Sequence, residues 1–301
     1  MSPAIASIPS PSSGVFHVGP VALHAYGLTL LAAILVCVWL TQRRWAARGG
    51  DPELVLRMAV WAVAAGIVGA RAYHDVTSWN EVPDPKWKGI FEVWHGGLGI
   101  WGGILAGTLV GAWIVRRAGA SAFAMMDAAA PGILLAQGIG RIGNYWNQEL
   151  FGKPTSLPWG LEIQLAHRPA AYVNSATFHP TFLYELIWDV VGVALLLYLD
   201  RRVRFRPPAL FAAYVSWYTF GRFFEELLRI DPAHKFGGLR LNAWVSIVVW
   251  VASTWVLIRL QRPGADRDLP RRPLRLPRRK ARVAPPPPTM AIPKSRVRQR
   301  Q

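Results

Sequence analysis

The chain has 301 residues, 52% of them hydrophobic, with a mean hydropathy of +0.22 and a formal net charge of +17. The chain is long enough to bury a large core, but its apolar residues come in blocks rather than in amphipathic periods, so membrane spans are the better account. A single cysteine, Cys37, excludes a disulfide framework and a multi-cysteine metal site, and the charge does not mark a nucleic-acid binder, because fourteen of the 34 Lys and Arg residues fall at or after Arg259.

Residues 1–20 are rich in Ser and Pro and lack a basic n-region, so they do not read as a conventional signal peptide. A first span is expected at 21–41, followed by QRRWAARGG, and a second at 54–74, followed by the polar loop HDVTSWNEVPDPKWKG. The third covers 96–115 and ends at Arg116 and Arg117; the fourth covers 122–140. Its far end runs into GIGRIGNYWNQELFGKPT, which sets Arg141, Asn144, Asn147, Gln148 and Glu149 within nine residues at an apolar boundary. Such a knot either faces the headgroups or lines a protected cavity. An irregular loop, 147–178, separates it from a fifth span at 180–199, and the sixth and seventh are expected at 208–228 and 241–260. The remainder, 263–301, is Pro- and Arg-rich with little apolar surface and is expected to be a disordered basic tail.

The expected fold is therefore all-α, a seven-span membrane domain over residues 21–262 with irregular outward loops. Loops after spans one, three and five carry Arg43, Arg44, Arg48, Arg116, Arg117, Arg201, Arg202, Arg204 and Arg206, and the chain from Arg259 onward adds fourteen basic residues. The opposite loops carry seven, against twenty-three on the first side. The positive-inside rule then places the N-terminus and the 75–94 and 147–178 loops outside and the C-terminal tail in the cytoplasm.

Ionisable residues inside spans single out the chemistry. Arg57 sits near the cytoplasmic start of its helix and is expected to snorkel. Arg71, at the other end of the same helix, is either half of a structural pair or a functional group. Arg222, Glu226 and Arg229 share one face in GRFFEELLR, and Glu225 stands four residues before Arg229. That pattern makes a self-neutralising ladder, or it brings Arg222 to the depth of Arg141, where two guanidiniums make a clamp for phosphate. His95, in WHGGLGIWGG, is an interfacial histidine or a group able to take a proton near neutral pH. Neither an HExxH nor a GxSxG pattern occurs, so neither zinc nor serine-hydrolase chemistry is supported, and no cofactor is implied.

The run GRIGNYWNQELFG resembles the signature of prolipoprotein diacylglyceryl transferases, and HAYGL (24–28), HGGLGIWGGILAG (95–107), HPTFLYE (179–185) and GRFFEELLR (221–229) resemble that family in the expected order. The resemblance covers roughly residues 20–260 and leaves the tail outside. It implies a bacterial inner-membrane enzyme that moves the diacylglyceryl group of phosphatidylglycerol to the lipobox cysteine of prolipoprotein signal peptides and releases glycerol phosphate. It further implies that Arg141, Arg222 and His95 take part in catalysis, with His95 either the base or a positioning donor. Tyr26, Asn144, Gly152 and Glu226 join Arg141 and Arg222 in substrate binding by the same resemblance. His179 and Glu185 are expected to fix the start of the fifth helix, and Phe182 departs from the glutamine more often found in the family. The rival reading is an anion or lipid transporter with an arginine-lined path; no internal repeat supports it.

Overall fold

A computed structural model describes residues 7–262; the basic tail at 263–301 lies outside the described residues. The helices, in chain order, are α1 (Ala25–Ala47), α2 (Pro52–Thr77), the single turn α3 (Lys86–Gly89), α4 (Ile100–Arg117), α5 (Ala122–Asn147), α6 (Thr181–Arg202), α7 (Ala209–Leu228) and α8 (Leu241–Leu260). Five of them, α1, α2, α5, α6 and α8, are long and apolar enough to cross a membrane. The other two long helices fall short for visible reasons. Glycine-rich α4 ends in Arg116 and Arg117, and α7 carries Arg222, Glu225 and Glu226 in its last two turns.

The arrangement inverts that of a water-soluble core. Large apolar side chains such as Val60, Val68, Leu105, Leu109 and Val248 point outward, whereas Arg71, Asp127, Glu185, Asp189, Glu226 and Arg240 are buried. Small residues set the closest helix contacts. Where α2 crosses α4, a Cβ on Gly102 would collide with the Gly69 carbonyl oxygen, and one on Gly69 would lie 2.5 Å from that of Gly102. Backbones approach this closely only without side chains. The other main pairings are α1 on α5, α5 on α6, α6 on α7 and α7 on α8.

Pro131 lies inside α5, where it cannot donate to the carbonyl of Asp127. Arg44 of α1 fills the gap. Its Nη2 donates to Asp127 O at 3.0 Å and its Nε to Ala128 O at 2.8 Å, while Nη1 pairs with Asp200 of α6 at 3.2 Å. One side chain thus satisfies an orphaned carbonyl that lipid could not, and joins three helices in doing so.

Several boundaries differ from the sequence expectation. The first helix begins at Ala25, because residues 15–24 fold back as a hairpin, β1 (Val15–Val18) on β2 (Val21–His24), about Gly19 at φ +60°. The third span begins at Ile100 rather than 96, since Gly96 and Gly97 hold positive φ. Most consequentially, α5 runs on through the polar knot to Asn147, so Arg141 and Asn144 are helical. The break comes only at Gln148, in the left-handed region at φ 50°. The fold is also not purely helical. The 147–178 loop contains the ribbon β3 (Leu161–Glu162) with β4 (Thr177–Phe178), and β5 (Lys235–Phe236) pairs with β6 (Leu239–Arg240) before α8. The chain near Ile8 adds to this loop: Ile8 N donates to Gly160 O at 2.8 Å and Glu162 N to Ile8 O at 2.9 Å.

Candidate active site

The last turns of α5 and α7 and the first turns of α6 come together at one end of the bundle. Arg141 projects from α5 and its Nη2 lies 2.6 Å from Glu185 Oε1, as an ion pair rather than an aligned hydrogen bond. Arg222 projects from α7, and its Nη1 lies 3.3 Å from Glu185 Oε2 and 2.7 Å from Glu225 Oε2, while Nη2 pairs with Glu226. The two arginines thus meet on opposite oxygens of one carboxylate.

Behind Arg222 lies a second tier. Glu226 is fully buried and accepts from Arg240 Nε at 2.6 Å, with Arg229 Nη1 at 3.6 Å. Asp231 closes the tier, bonded to Arg229 Nε at 2.7 Å and Arg240 Nη2 at 2.8 Å. Burial alone would raise the Asp231 carboxyl, but these two arginines outweigh it and hold it below the usual carboxylate range. Such mutual satisfaction is what permits so many charges at the end of an apolar helix. Arg229 is taken up by Glu226 and Asp231, and Glu225 by Arg222, so the expected Glu225–Arg229 pair gives way to this arrangement.

Two cavities adjoin the cluster. The larger, about 720 Å³, has Tyr26, Arg141, Asn144 and Glu149 at its polar end. It continues along α1 as an apolar trough past Leu30 and Ile34 to Thr41. The fifteen helical steps from Tyr26 to Thr41 correspond to about 22 Å, the length of an extended acyl chain of ordinary size. The smaller, about 320 Å³, is lined by Glu185, Arg222, Glu225 and the aromatic rings of Trp188, Phe220 and Phe224. Tyr218 lines both. Arg141 therefore faces one space and Arg222 its neighbour, and Glu185 and Tyr218 lie between them.

Local sequence explains the placement. Gly143 lies against the Tyr26 ring, where a Cβ would stand 2.6 Å from Cδ2, so the glycine lets α1 seat its tyrosine at the cavity mouth. Asn144 Nδ2 donates to Glu149 Oε1 at 2.9 Å, and its Oδ1 stands 3.5 Å from Arg141 Nη1. The left-handed Gln148 turns the chain so that Glu149 faces back toward Asn144. Gly152 is enclosed: a Cβ there would meet His179 Cβ at 2.8 Å and Leu228 O at 3.2 Å, and its N–H donates to His179 O at 2.9 Å. It joins the loop to the start of α6 and the end of α7.

His95 closes the short turn Val93–His95, and its side chain lies outside the described part. Its loop is held by Arg71, which pairs with Asp75 at 3.0 Å and donates to the carbonyls of Gly89, Ile90 (3.1 Å) and Gly96 (2.8 Å). Arg71 is thus a structural anchor. His179 sits at the loop before α6, its Nδ1 3.1 Å from Tyr184 Oη, as expected; burial and then the Lys153 charge hold its imidazole below the usual value. Glu185 does not fix the helix start. It lies one turn further in and bridges the arginines.

Reasoning from the sequence missed Glu185, Tyr218 and Arg240 as site residues. For Glu185 a signal existed: HPTFLYELIWD places two acids four residues apart in an apolar span, Glu185 and Asp189, and an intramembrane acid needs a partner or a purpose. Asp189 is fully buried, and within the described residues neither of its carboxyl oxygens has a hydrogen-bond partner. Among the described residues no group of acids, histidines and cysteines has the arrangement of a metal site.

Comparison with known proteins places the chain in a family. The family model for prolipoprotein diacylglyceryl transferase matches residues 13–259. A phosphatidylglycerol--prolipoprotein diacylglyceryl transferase of Cutibacterium acnes is 52% identical over 258 residues, covering 85% of this chain and 87% of that protein. The Streptomyces coelicolor protein carrying the same name with the number 2 is 48% identical over 280 residues, covering 87% of each, and one from Frankia alni is 51% identical over 265 residues, covering 86% of this chain and 68% of its own length. With a match across nearly the whole helical bundle and relatives at half identity, the chain belongs to the prolipoprotein diacylglyceryl transferase family.

Proposed function

We propose that this protein transfers the diacylglyceryl group of phosphatidylglycerol to the thiol of a prolipoprotein lipobox cysteine, forming a thioether and releasing glycerol phosphate. The observation that carries this reading is the convergence of Arg141 and Arg222 on Glu185, where the polar end of the apolar trough adjoins the smaller, aromatic cavity. The sulfur attacks the glyceryl carbon, the carbon–oxygen bond breaks, and its electron pair leaves on the phosphate oxygen. The developing charge needs fixed cations in a water-poor space, which two guanidiniums supply. Each has five N–H donors. Arg141 engages one carboxylate and one amide oxygen, which leaves donors for a phosphate.

In this reading Tyr26 and Asn144 orient the headgroup at the cavity mouth, and the trough along α1 receives an acyl chain. Glu226 and Gly152 act from behind: Glu226 fixes Arg222, and Gly152 fixes the loop. A thiol of intrinsic pKa near 8.5 must reach its thiolate form. His95, on the loop anchored by Arg71, is assigned either that proton or the orientation of the thiol.

The membrane placement belongs to the same proposal. The helices α1, α2 and α4–α8 cross a bacterial inner membrane seven times, with the N-terminus outside and the tail in the cytoplasm. The charge count of twenty-three against seven supports it. The site then opens toward the outer leaflet. The test is reconstitution in phosphatidylglycerol liposomes with a lipobox peptide. Arg141→Ala should abolish peptide modification while the protein stays folded in the membrane. Substantial modification by that variant would defeat the clamp, and lipid flux without modification would make the protein a transporter.

A further inference from the structure

A third cavity, about 620 Å³, lies between α2 and α4 at the end of the bundle opposite the arginine–glutamate cluster. Its lining includes Arg57 and Trp61 from α2 and Trp113, Ile114 and Arg117 from α4. The two helices run antiparallel: Gly69 meets Gly102, Gly66 meets Gly103 and Met58 meets Gly111. Continuing that register puts Arg57 level with Trp113, Arg117 one turn further out and Trp61 one turn further in, steps of about 6 Å.

Side-chain direction then brings the two charges together. Helical side chains lean toward the N-terminus of their own helix. Arg57, near the start of α2, leans outward from the bundle; Arg117, at the end of α4, leans inward, and its guanidinium lies 5.2 Å from the centre of the Trp113 ring. Both head toward the same depth from opposite sides. Neither has an acidic partner among the described residues, in contrast to Arg44, Arg48, Arg71, Arg141, Arg222, Arg229 and Arg240, all of which do. Trp61 and Trp113 are 59% and 57% exposed, and with Val110 they make the wall an apolar one.

We propose that this cavity seats an anionic phospholipid of the cytoplasmic leaflet, its phosphodiester held between Arg57 and Arg117 and its glycerol and upper acyl carbons against Trp61 and Trp113. The occupant is a lipid rather than a soluble phosphate because the cationic mouth continues directly into an aromatic wall that a free anion would leave uncovered. The site is separate from the transfer reaction, in the opposite leaflet. It clamps the cytoplasmic end of the α2–α4 pair, whose other end carries the Arg71-anchored loop.

Native mass spectrometry of the full chain, extracted in mild detergent and titrated with phosphatidylglycerol, tests the proposal. The wild type should hold one more phosphatidylglycerol than R57Q/R117Q, with affinity at that site lowered about thirtyfold in the variant, the scale of two interfacial charge contacts. Peptide modification in liposomes, measured alongside, should be unchanged and certifies that the variant folds. Phosphatidylcholine should not be retained, and inorganic phosphate in large excess should not displace the lipid. Equal retention by R57Q/R117Q, retention of phosphatidylcholine, or displacement by inorganic phosphate each overturns the proposal. If R57Q/R117Q does not fold, R57K/R117K decides: it keeps the charge without the fork, and retention must fall below wild type but stay above background.

Discussion

Replacing Glu185 by Gln removes the carboxylate that, among the described residues, both arginines contact. The side chain is 4% exposed and touches Arg141 at 2.6 Å and Arg222 at 3.3 Å. An amide keeps one acceptor oxygen and turns an NH2 toward the other guanidinium. Arg222 still has Glu225 and Glu226, so the loss falls on Arg141, left with Asn144 at 3.5 Å. Removing one partner of a buried ion pair leaves the other charge uncompensated, at a cost of about 3–5 kcal/mol. If 3–4 kcal/mol of this appears in the transition state, kcat/KM falls by about 10²–10³, mainly through kcat. Glu185→Asp, shorter by one methylene, should fall between. The assay is the initial rate of lipobox-peptide modification in phosphatidylglycerol vesicles, with thermal unfolding followed in parallel. A Glu185→Gln enzyme with wild-type rate and unchanged melting would refute the bridging role.

Other outcomes follow from the packing and the charges. Gly102→Ala forces a methyl group into the Gly69 carbonyl, and overpacking of this kind costs about 1–3 kcal/mol; thermal unfolding of the purified protein should show the drop. Arg71→Ala frees the 86–97 loop from its carbonyl contacts, so amide exchange there should rise while exchange in α6 stays as before. Asp231 has a folded pKa below its ordinary value, so its pairing stabilises the fold above about pH 4 and is lost as pH falls through the folded pKa. Asp231→Asn should therefore lower stability by about 0.5–1 kcal/mol at pH 7, a modest amount because a quarter of the side chain is exposed, and by little at pH 3, as read from unfolding midpoints.

Much of the site was legible because bilayers make polarity conspicuous. Arg141 and Arg222 stand out in apolar runs, and their equal depth follows from the alternation of basic loops. The polar partners were harder to see. Glu185 looked like a helix-start residue because HPT precedes it, yet it stands four residues into α6, and that turn of rise, about 6 Å, brings it to the arginines. Arg240 follows a Gly-Gly turn in a short ribbon, and nothing local in GGLR announces that it bonds Glu226 fourteen residues earlier. The continuation of α5 through Gly138, Gly140 and Gly143 ran against helix propensity. Tertiary contact decided it: Tyr26 occupies the space beside Gly143, and a Cβ on Gly138 would stand 3.1 Å from Asp189 Cβ.

The strand-like pairing of Ile8 with the 160–162 segment has a bearing on biogenesis. Tyr145 Oη donates to Pro9 O at 2.8 Å and Gln148 Nε2 to Pro11 O at 3.0 Å, so residues 7–11 are made before their partners, which follow 136 to 155 residues later in the chain. Until α5 and the loop after it have been made, residues 7–11 lack these partners. They precede α1 in the chain, yet they can be fixed only after the long helices α1, α2, α4 and α5 have been made.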